Sequence, residues 1–404
     1  MRLIPNILLA LSFFMVGGNV QANEHITTVA DYAHIIDFDS NRVLLSKNPD
    51  SPMKPASMAK IMTLYIVFSR IAEGSLSLED EFLVSEKAWK MGGSRSFLDV
   101  GTRVSIEALI NGIAVQSGND AAVVLAEGIS GSEEAFSDEM NRFAKQLGMS
   151  NTNFTNSTGW PDDNLTTTAR DLSLLTAALI RDFPSDIYPS LYPVFAKADY
   201  TYNNIKQGNR NPLINRSLGA DGLKTGHTKE SGYGLVGSAQ RNGQRIIMVL
   251  NGMKSKKQRS LESNRLMDFM FREFRKYTFF EQGETVSTAN IWLGKEAKIP
   301  LVLETELSRV LSRSERSNTK ITVNYNEPVQ APLAKGDEVG VLWLEVNGVR
   351  EEIPIIAGRD VGQLPVFSRV TEAIKYLIFG NIFFHKFFCG LKYIFRFFHK
   401  YISH

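Results

Sequence analysis

Ser57 and Lys60 stand three positions apart in Ser57-Met58-Ala59-Lys60, the interval at which two side chains on a helix share a face. A hydroxyl and an amine so placed are the minimum equipment for acyl transfer, one as nucleophile and the other as the base that takes its proton. Two other stretches repeat the spacing, Ser51 to Lys54 and Ser317 to Lys320. Pro52 and Pro55 hold the former in an extended or turning path, and the latter lies in the polar, charged run from Arg313 to Lys320. Ser57 instead opens an apolar run, Ile61 to Phe68, hydrophobic nearly all round a helix and therefore buried. An ammonium enclosed at the first turn of such a helix loses solvation and faces the positive end of the helix dipole. Both effects favour the neutral amine, which is a base.

Two further segments complete the chemistry. Ser117-Gly118-Asn119 falls between helical patterns at Ser105 to Val115 and Asp120 to Glu127, so it reads as a tight interhelical connection. Its hydroxyl can pass a proton to a leaving group, and its amide can hold Lys60 and a substrate carbonyl. Lys224-Thr225-Gly226 precedes an alternating stretch, Gly232 to Ala239, a turn at Arg241-Asn242-Gly243-Gln244 and an apolar strand, Arg245 to Leu250, the pattern of a hairpin meander. On a strand beside a cleft, Lys224 and Thr225 would bind a carboxylate, and Gly226 would admit a close peptide backbone. The backbone N–H of His227, paired with that of Ser57, would form an oxyanion hole.

The ordered set resembles the penicillin-recognising serine enzymes, marked by S-x-x-K, S-D-N and K-T-G. With Gly118 in place of Asp, and with Pro55-Ala56-Ser57 and Lys224-Thr225-Gly226-His227, the chain is similar to the D-alanyl-D-alanine carboxypeptidases, the low-molecular-mass penicillin-binding proteins. Phe154 to Gly159 and Thr168 to Leu172 carry the likeness further, whereas Ala59 and Trp160 depart from the Thr and the aliphatic residue frequent in the family. The resemblance implies that Ser57 is the nucleophile and Lys60 its base, with Ser117 and Asn119 assisting proton transfer and positioning. It implies that Lys224 and Thr225 take the terminal carboxylate of a stem peptide ending in D-Ala-D-Ala, aided by Arg259, and that β-lactams acylate the same serine. For Arg259, in the basic run Lys254 to Arg259, a solvated loop is the competing reading. The chain lacks an E-x-x-L-N-like element to activate water, which disfavours a β-lactamase; endopeptidase or transpeptidase preference and a non-catalytic wall-binding scaffold are left open.

The elements around these residues predict an α+β architecture. A hairpin (Tyr32 to Phe38, then Val43 to Ser46) precedes a long helical section, and the meander closes the unit, so an antiparallel sheet packed with helices is expected over 23–277. The resemblance makes this sheet five-stranded. Strand-like segments from Phe279 to Gln363 predict a small β domain over 278–363. Residues 1–22 combine Arg2, an apolar stretch from Ile7 to Val16 and a small-residue end at Ala22, the pattern of a signal peptide. Export to the outer face of the cytoplasmic membrane, in the periplasm, is the corresponding expectation.

The tail, 364–404, is unlike the rest. From Phe367 to His404 it holds nine Phe, three Tyr and six Lys or Arg against one acid, Glu372, with Lys392, Arg396 and Lys400 in one stripe. That pattern predicts an amphipathic helix lying in a membrane interface, since its uncharged stretch, Tyr376 to Phe384, is too short to cross a ~30 Å hydrocarbon layer. The net charge of +2 hides this concentration, and nucleic-acid binding is not expected. Six histidines without an H-E-x-x-H pattern give no metal centre, and no glycine loop suited to a phosphate or dinucleotide suggests a cofactor. The single cysteine, Cys389, forms no intrachain disulfide, so the core must supply the stability.

Overall fold

The computed structural model describes residues 26–214 and 219–374. The signal segment expected over 1–22, and most of the tail helix expected over 364–404, lie outside the described residues; 366–374 are helical.

In chain order the first compact unit contains strands β1 (Tyr32–Asp37) and β2 (Val43–Lys47), helix α1 (Lys60–Ala72), β3 (Glu81–Leu83), α2 (Glu86–Lys90), β4 (Arg103–Ser105) and α3 (Ile106–Asn111). Helices α4 (Asn119–Ser130), α5 (Glu133–Gln146) and α6 (Ala169–Asp182) follow, then β5 (Asp199–Tyr202) and β6 (Ile205–Gly208). The unit ends with β7 (Ala220–Thr228), β8 (Gly232–Arg241), β9 (Gln244–Met253) and α7 (Lys256–Glu273).

The opening hairpin and the closing meander join in one five-stranded sheet of order β2-β1-β9-β8-β7, antiparallel throughout. Its register sets Ile35 opposite Met248 and Thr225 opposite Leu235. Five consecutive residues of β9, Ile246 to Leu250, are all buried, so both faces of the sheet are covered, as successive strand side chains point to opposite faces. Helix α6 packs on β1 and β9, and α7 on β8 and β9. Between β1 and α6 lies His34, buried, with Nδ1 2.7 Å from Ser173 Oγ; burial lowers it to about 4, so this histidine is a neutral packing residue remote from the motifs. Helix α1 is buried from Lys60 through Phe68, as an apolar run with no polar stripe requires.

The second unit begins at Phe274. It comprises β10 (Phe274–Phe280), β11 (Thr285–Trp292), β12 (Lys298–Val302), β13 (Leu307–Ser312), a short helix α8 (Arg313–Ser317), β14 (Lys320–Tyr325), β15 (Val329–Gln330), β16 (Glu338–Val346) and β17 (Val349–Ala357). A six-stranded sheet of order β14-β16-β17-β12-β11-β15 and a two-stranded sheet of β10 and β13 enclose a separate core that includes Ile299, Leu301, Leu342 and Ile355. The boundary therefore falls four residues before the expected start at 278, because Phe274 already pairs with Ser312 in the second unit.

Candidate active site

Ser57 occupies a 3-10 turn, Ala56–Ala59, that runs directly into α1. Continuity of the two helical pieces keeps the three-residue interval on one face, and Lys60 Nζ lies 3.1 Å from Ser57 Oγ. The amine also donates to Asn119 Oδ1 and to the carbonyl of Thr158, each at 2.6 Å. Burial drives Lys60 down from the ordinary lysine range to about 7; Arg210 pushes the same way, while the carboxylates of Asp120 and Glu133 oppose it. A neutral amine has two N–H groups and one lone pair. The two short bonds to oxygens that can only accept use both N–H groups, so in that state the lone pair is left for the Ser57 hydroxyl.

The connection between α3 and α4 is tighter than an ordinary turn. After α3 the chain makes a π-helical turn, Gly112–Gln116, and Ser117 then adopts a left-handed backbone with φ 66°. This places Asn119 at the first position of α4, where its backbone N–H donates to Ser94 O at 2.8 Å and its amide to Gly92 O at 2.7 Å. Ser117 is 2% exposed, and its Oγ is a buried hydroxyl with no hydrogen-bond partner. Such a group is costly unless something else uses it. At Gly118 a Cβ would fall 2.0 Å from Ser96 Oγ and 2.9 Å from Asp120 Oδ1, so the aspartate of the S-D-N pattern would require Ser96 to shift and would set a second carboxylate against Asp120.

Strand β7 forms the opposite wall. Lys224 is 2% exposed and is held well below the ordinary lysine range, first by burial and then by repulsion from Lys60, Arg210 and Arg259. Its amine donates to the carbonyl of Thr225 at a long 3.5 Å. Arg259 is not in a solvated loop: it projects from α7, 7% exposed, with its guanidinium over the Tyr233 ring and its Nε unpartnered. Burial pulls Arg259 to about 10. Among the described residues Lys224 and Arg259 hydrogen-bond to backbone carbonyls and to no carboxylate, and buried cations crowded together in this way form a pocket for an anion. Thr225 is buried beside them, and exposed His227 stacks on Tyr233 at 3.9 Å between ring centroids.

Gly226 also has a packing duty. A Cβ there would lie 2.8 Å from Pro55 O and 3.3 Å from Ala56 Cβ. Its missing side chain lets β7 close on the turn that carries Ser57.

Four contributors lay outside the motifs. Thr158 supplies a carbonyl, a role invisible in a side-chain pattern. Arg210 donates to Ser94 Oγ and repels both Lys60 and Lys224; only the folded chain brings it near them. Asp120 accepts from the backbone N–H groups of Ser96 and Leu98 and so fixes the loop behind Asn119. Glu133 accepts from Ser157 N at 3.2 Å and Ser157 Oγ at 2.8 Å, immediately before Thr158.

A desolvated lysine in contact with a serine, set between helices and the edge of an antiparallel sheet, defines a class: serine hydrolases that form an acyl-enzyme. The family model described as D-alanyl-D-alanine carboxypeptidase matches residues 19–255, and that of the penicillin-binding protein 5 C-terminal domain matches 274–363. D-alanyl-D-alanine carboxypeptidase DacC of Escherichia coli is 36% identical over 349 residues, covering 84% of this chain and 86% of the relative. The crystal structure of penicillin-binding protein 5 from Haemophilus influenzae is 34% identical with a TM-score of 0.67, covering 84% of this chain and 99% of that one. Penicillin-binding protein D2 from Listeria monocytogenes, solved in its ampicillin-bound form, is 28% identical with a TM-score of 0.54 and covers 61% of this chain and 99% of its own. The chain belongs to the D-alanyl-D-alanine carboxypeptidase family, the low-molecular-mass penicillin-binding proteins, and is a serine-type hydrolase.

Proposed function

We propose that this protein removes the terminal D-alanine from peptidoglycan stem pentapeptides through an acyl-enzyme on Ser57, and that β-lactams acylate the same hydroxyl. The observation that carries the reading is the hydrogen-bonding of Lys60, whose N–H groups are taken by Asn119 and Thr158 while Ser57 Oγ stands 3.1 Å away. Lys60 takes the Ser57 proton as Oγ attacks the carbonyl of the D-Ala-D-Ala bond, and the N–H groups of Ser57 and His227 receive the oxyanion. Ser117, whose Oγ is free of other partners, passes a proton to the departing amine. Lys224, Thr225 and Arg259 hold the carboxylate of the leaving D-alanine, whose charge offsets the mutual repulsion of the cations. Water then hydrolyses the ester. No metal or cofactor enters these steps. The ampicillin-bound form of the Listeria protein supports acylation by β-lactams.

The same reading places the protein outside the cytoplasm, on the periplasmic face of the membrane, after removal of residues 1–22. Val366, Phe367, Val370 and Ile374 support a tail that seats on lipid: they recur on one helical face and are all exposed, Phe367 at 91%. Replacing Ser57 with Ala should abolish both D-alanine release, followed by mass spectrometry of muropeptides, and labelling by a fluorescent penicillin. Release by the variant at the wild-type rate would overturn the assignment.

A further inference from the structure

We propose that Trp160 is a positioning residue for the base: its indole braces the two segments whose oxygens receive the N–H groups of Lys60. The inference rests on the proposed function and extends it to a residue outside the sequence motifs. One of those oxygens is the carbonyl of Thr158, in the loop following α5, and the other is Oδ1 of Asn119. Asn119 is in turn held by the strap between α2 and β4, where Gly92 O receives its side-chain amide at 2.7 Å and Ser94 O its backbone N–H at 2.8 Å. An aim of this kind is only as precise as the groups that support it.

Trp160 joins the loop to the strap. Its backbone belongs to the loop: the N–H donates to Asn156 Oδ1 at 3.0 Å, and the carbonyl accepts from Asn156 Nδ2 at 3.0 Å. The same Oδ1 accepts from Thr158, from the backbone N–H at 3.2 Å and from Oγ1 at 2.9 Å. One asparagine therefore fixes the Thr158 carbonyl and the root of the indole together. The ring then crosses to the strap. A Cβ on Gly92 would lie 3.3 Å from its Cη2, and one on Gly93 3.2 Å from its Cζ3; two glycines leave the strap bare to receive it. The Cβ on Gly93 would also lie 2.9 Å from Asn119 Nδ2, so the indole meets the strap beside the amide that the strap holds. Trp160 is 46% exposed and Lys60 fully buried, so the ring covers the seam between loop and strap from the solvent side. Without it the seam opens, and water reaching Nζ favours the ammonium, because burial is the main cause that holds Lys60 at about 7. The charged groups that face the amine, Arg210, Lys224, Asp120 and Glu133, stay as they are.

The test is the pH dependence of penicillin acylation by the purified full-length protein, wild type against Trp160→Ala, with the melting temperature as the check of fold. Trp160→Ala should move the acid limb up by about one pH unit, equivalent to about tenfold in rate below the limb. Trp160→Phe, whose ring keeps part of the contact, should move it less. A general loss of stability would lower the melting temperature and leave the limb in place. Should Trp160→Ala not fold, Trp160→Phe and Trp160→Leu are measured for smaller shifts in the same direction. A folded variant whose limb stays at the wild-type pH, or falls, would overturn the role of Trp160 while sparing the proposed function. A wild type that takes no penicillin at any pH would overturn the proposed function itself, and the role of Trp160 with it.

Discussion

Lys60 shows how much of the chemistry resides in single atoms. Its amine sits among three oxygens, and desolvation decides how many it must donate to. The meeting of Ser57, Lys60 and Asn119, and the burial of Ser117, Lys224 and Thr225, were foreshadowed in the sequence because side chains at a short, characteristic spacing mark these positions. Thr158 and Arg210 were not, since one acts through its backbone and the other through a long-range contact that only folding creates. For Gly226 the structure adds a packing reason that the sequence did not carry. With Pro55 O only 2.8 Å from a Cβ at that site, Gly226→Ala should push β7 away from the Ser57 turn. A misplacement near 1 Å can cost about a hundredfold in rate, so penicillin acylation by the variant should fall on that order in stopped-flow measurements. Unchanged acylation would show that the contact is slack.

Among the elements, the loop following α5 bears the strictest constraint. Glu133 in the first turn of α5 holds Ser157 and pairs with Lys87 of α2 at 3.0 Å. The carbonyls of Ser157 and Thr158 in turn receive Thr63 and Lys60 of α1, at 2.7 and 2.6 Å. Three helices are thus tied to the aim of one amine. Glu133→Ala leaves the Ser157 donors unpaired, at about 1–3 kcal/mol for a buried group, and should slow acylation by roughly tenfold or more. Glu133→Gln keeps an acceptor oxygen and should recover most of that rate. Because the Glu133 carboxylate raises the Lys60 pKa, removing its charge should also move the acid limb of the Glu133→Gln pH profile to lower pH. An unmoved limb, with no rescue by Gln, would reduce Glu133 to a packing role. The sequence placed helices on both sides of Ser117-Gly118-Asn119, but it did not reveal the π-helical turn or the left-handed Ser117, which lie where Gly112 and Gly118 pack closely on Ser96, a residue distant in the chain.

At the scale of the whole molecule, the α+β unit followed by a β unit was readable from hairpins flanking a helical section. The seam between them was less so. Helix α7 ends at Glu273 and β10 begins at Phe274, with no glycine, proline or polar linker to mark the change. The two units have separate cores, and each site residue named here belongs to the first. Removal of 367–404 should therefore leave D-alanine release unchanged while shifting the protein from the membrane pellet to the supernatant in cell fractionation. Retention in the pellet would contradict the proposed anchor.

The central claim is that an uncharged Lys60 activates Ser57, and the most direct measurement is the second-order rate constant for penicillin acylation as a function of pH, which reports the free enzyme. With Lys60 lowered to about 7, the amine form is lost as pH falls through that value. The rate constant should drop about tenfold per pH unit below it and level off above, and Lys60→Gln should remove the reaction. A rate constant that stays flat between about pH 5 and pH 9, or a Lys60→Gln variant that acylates as fast as the wild type, would contradict the account.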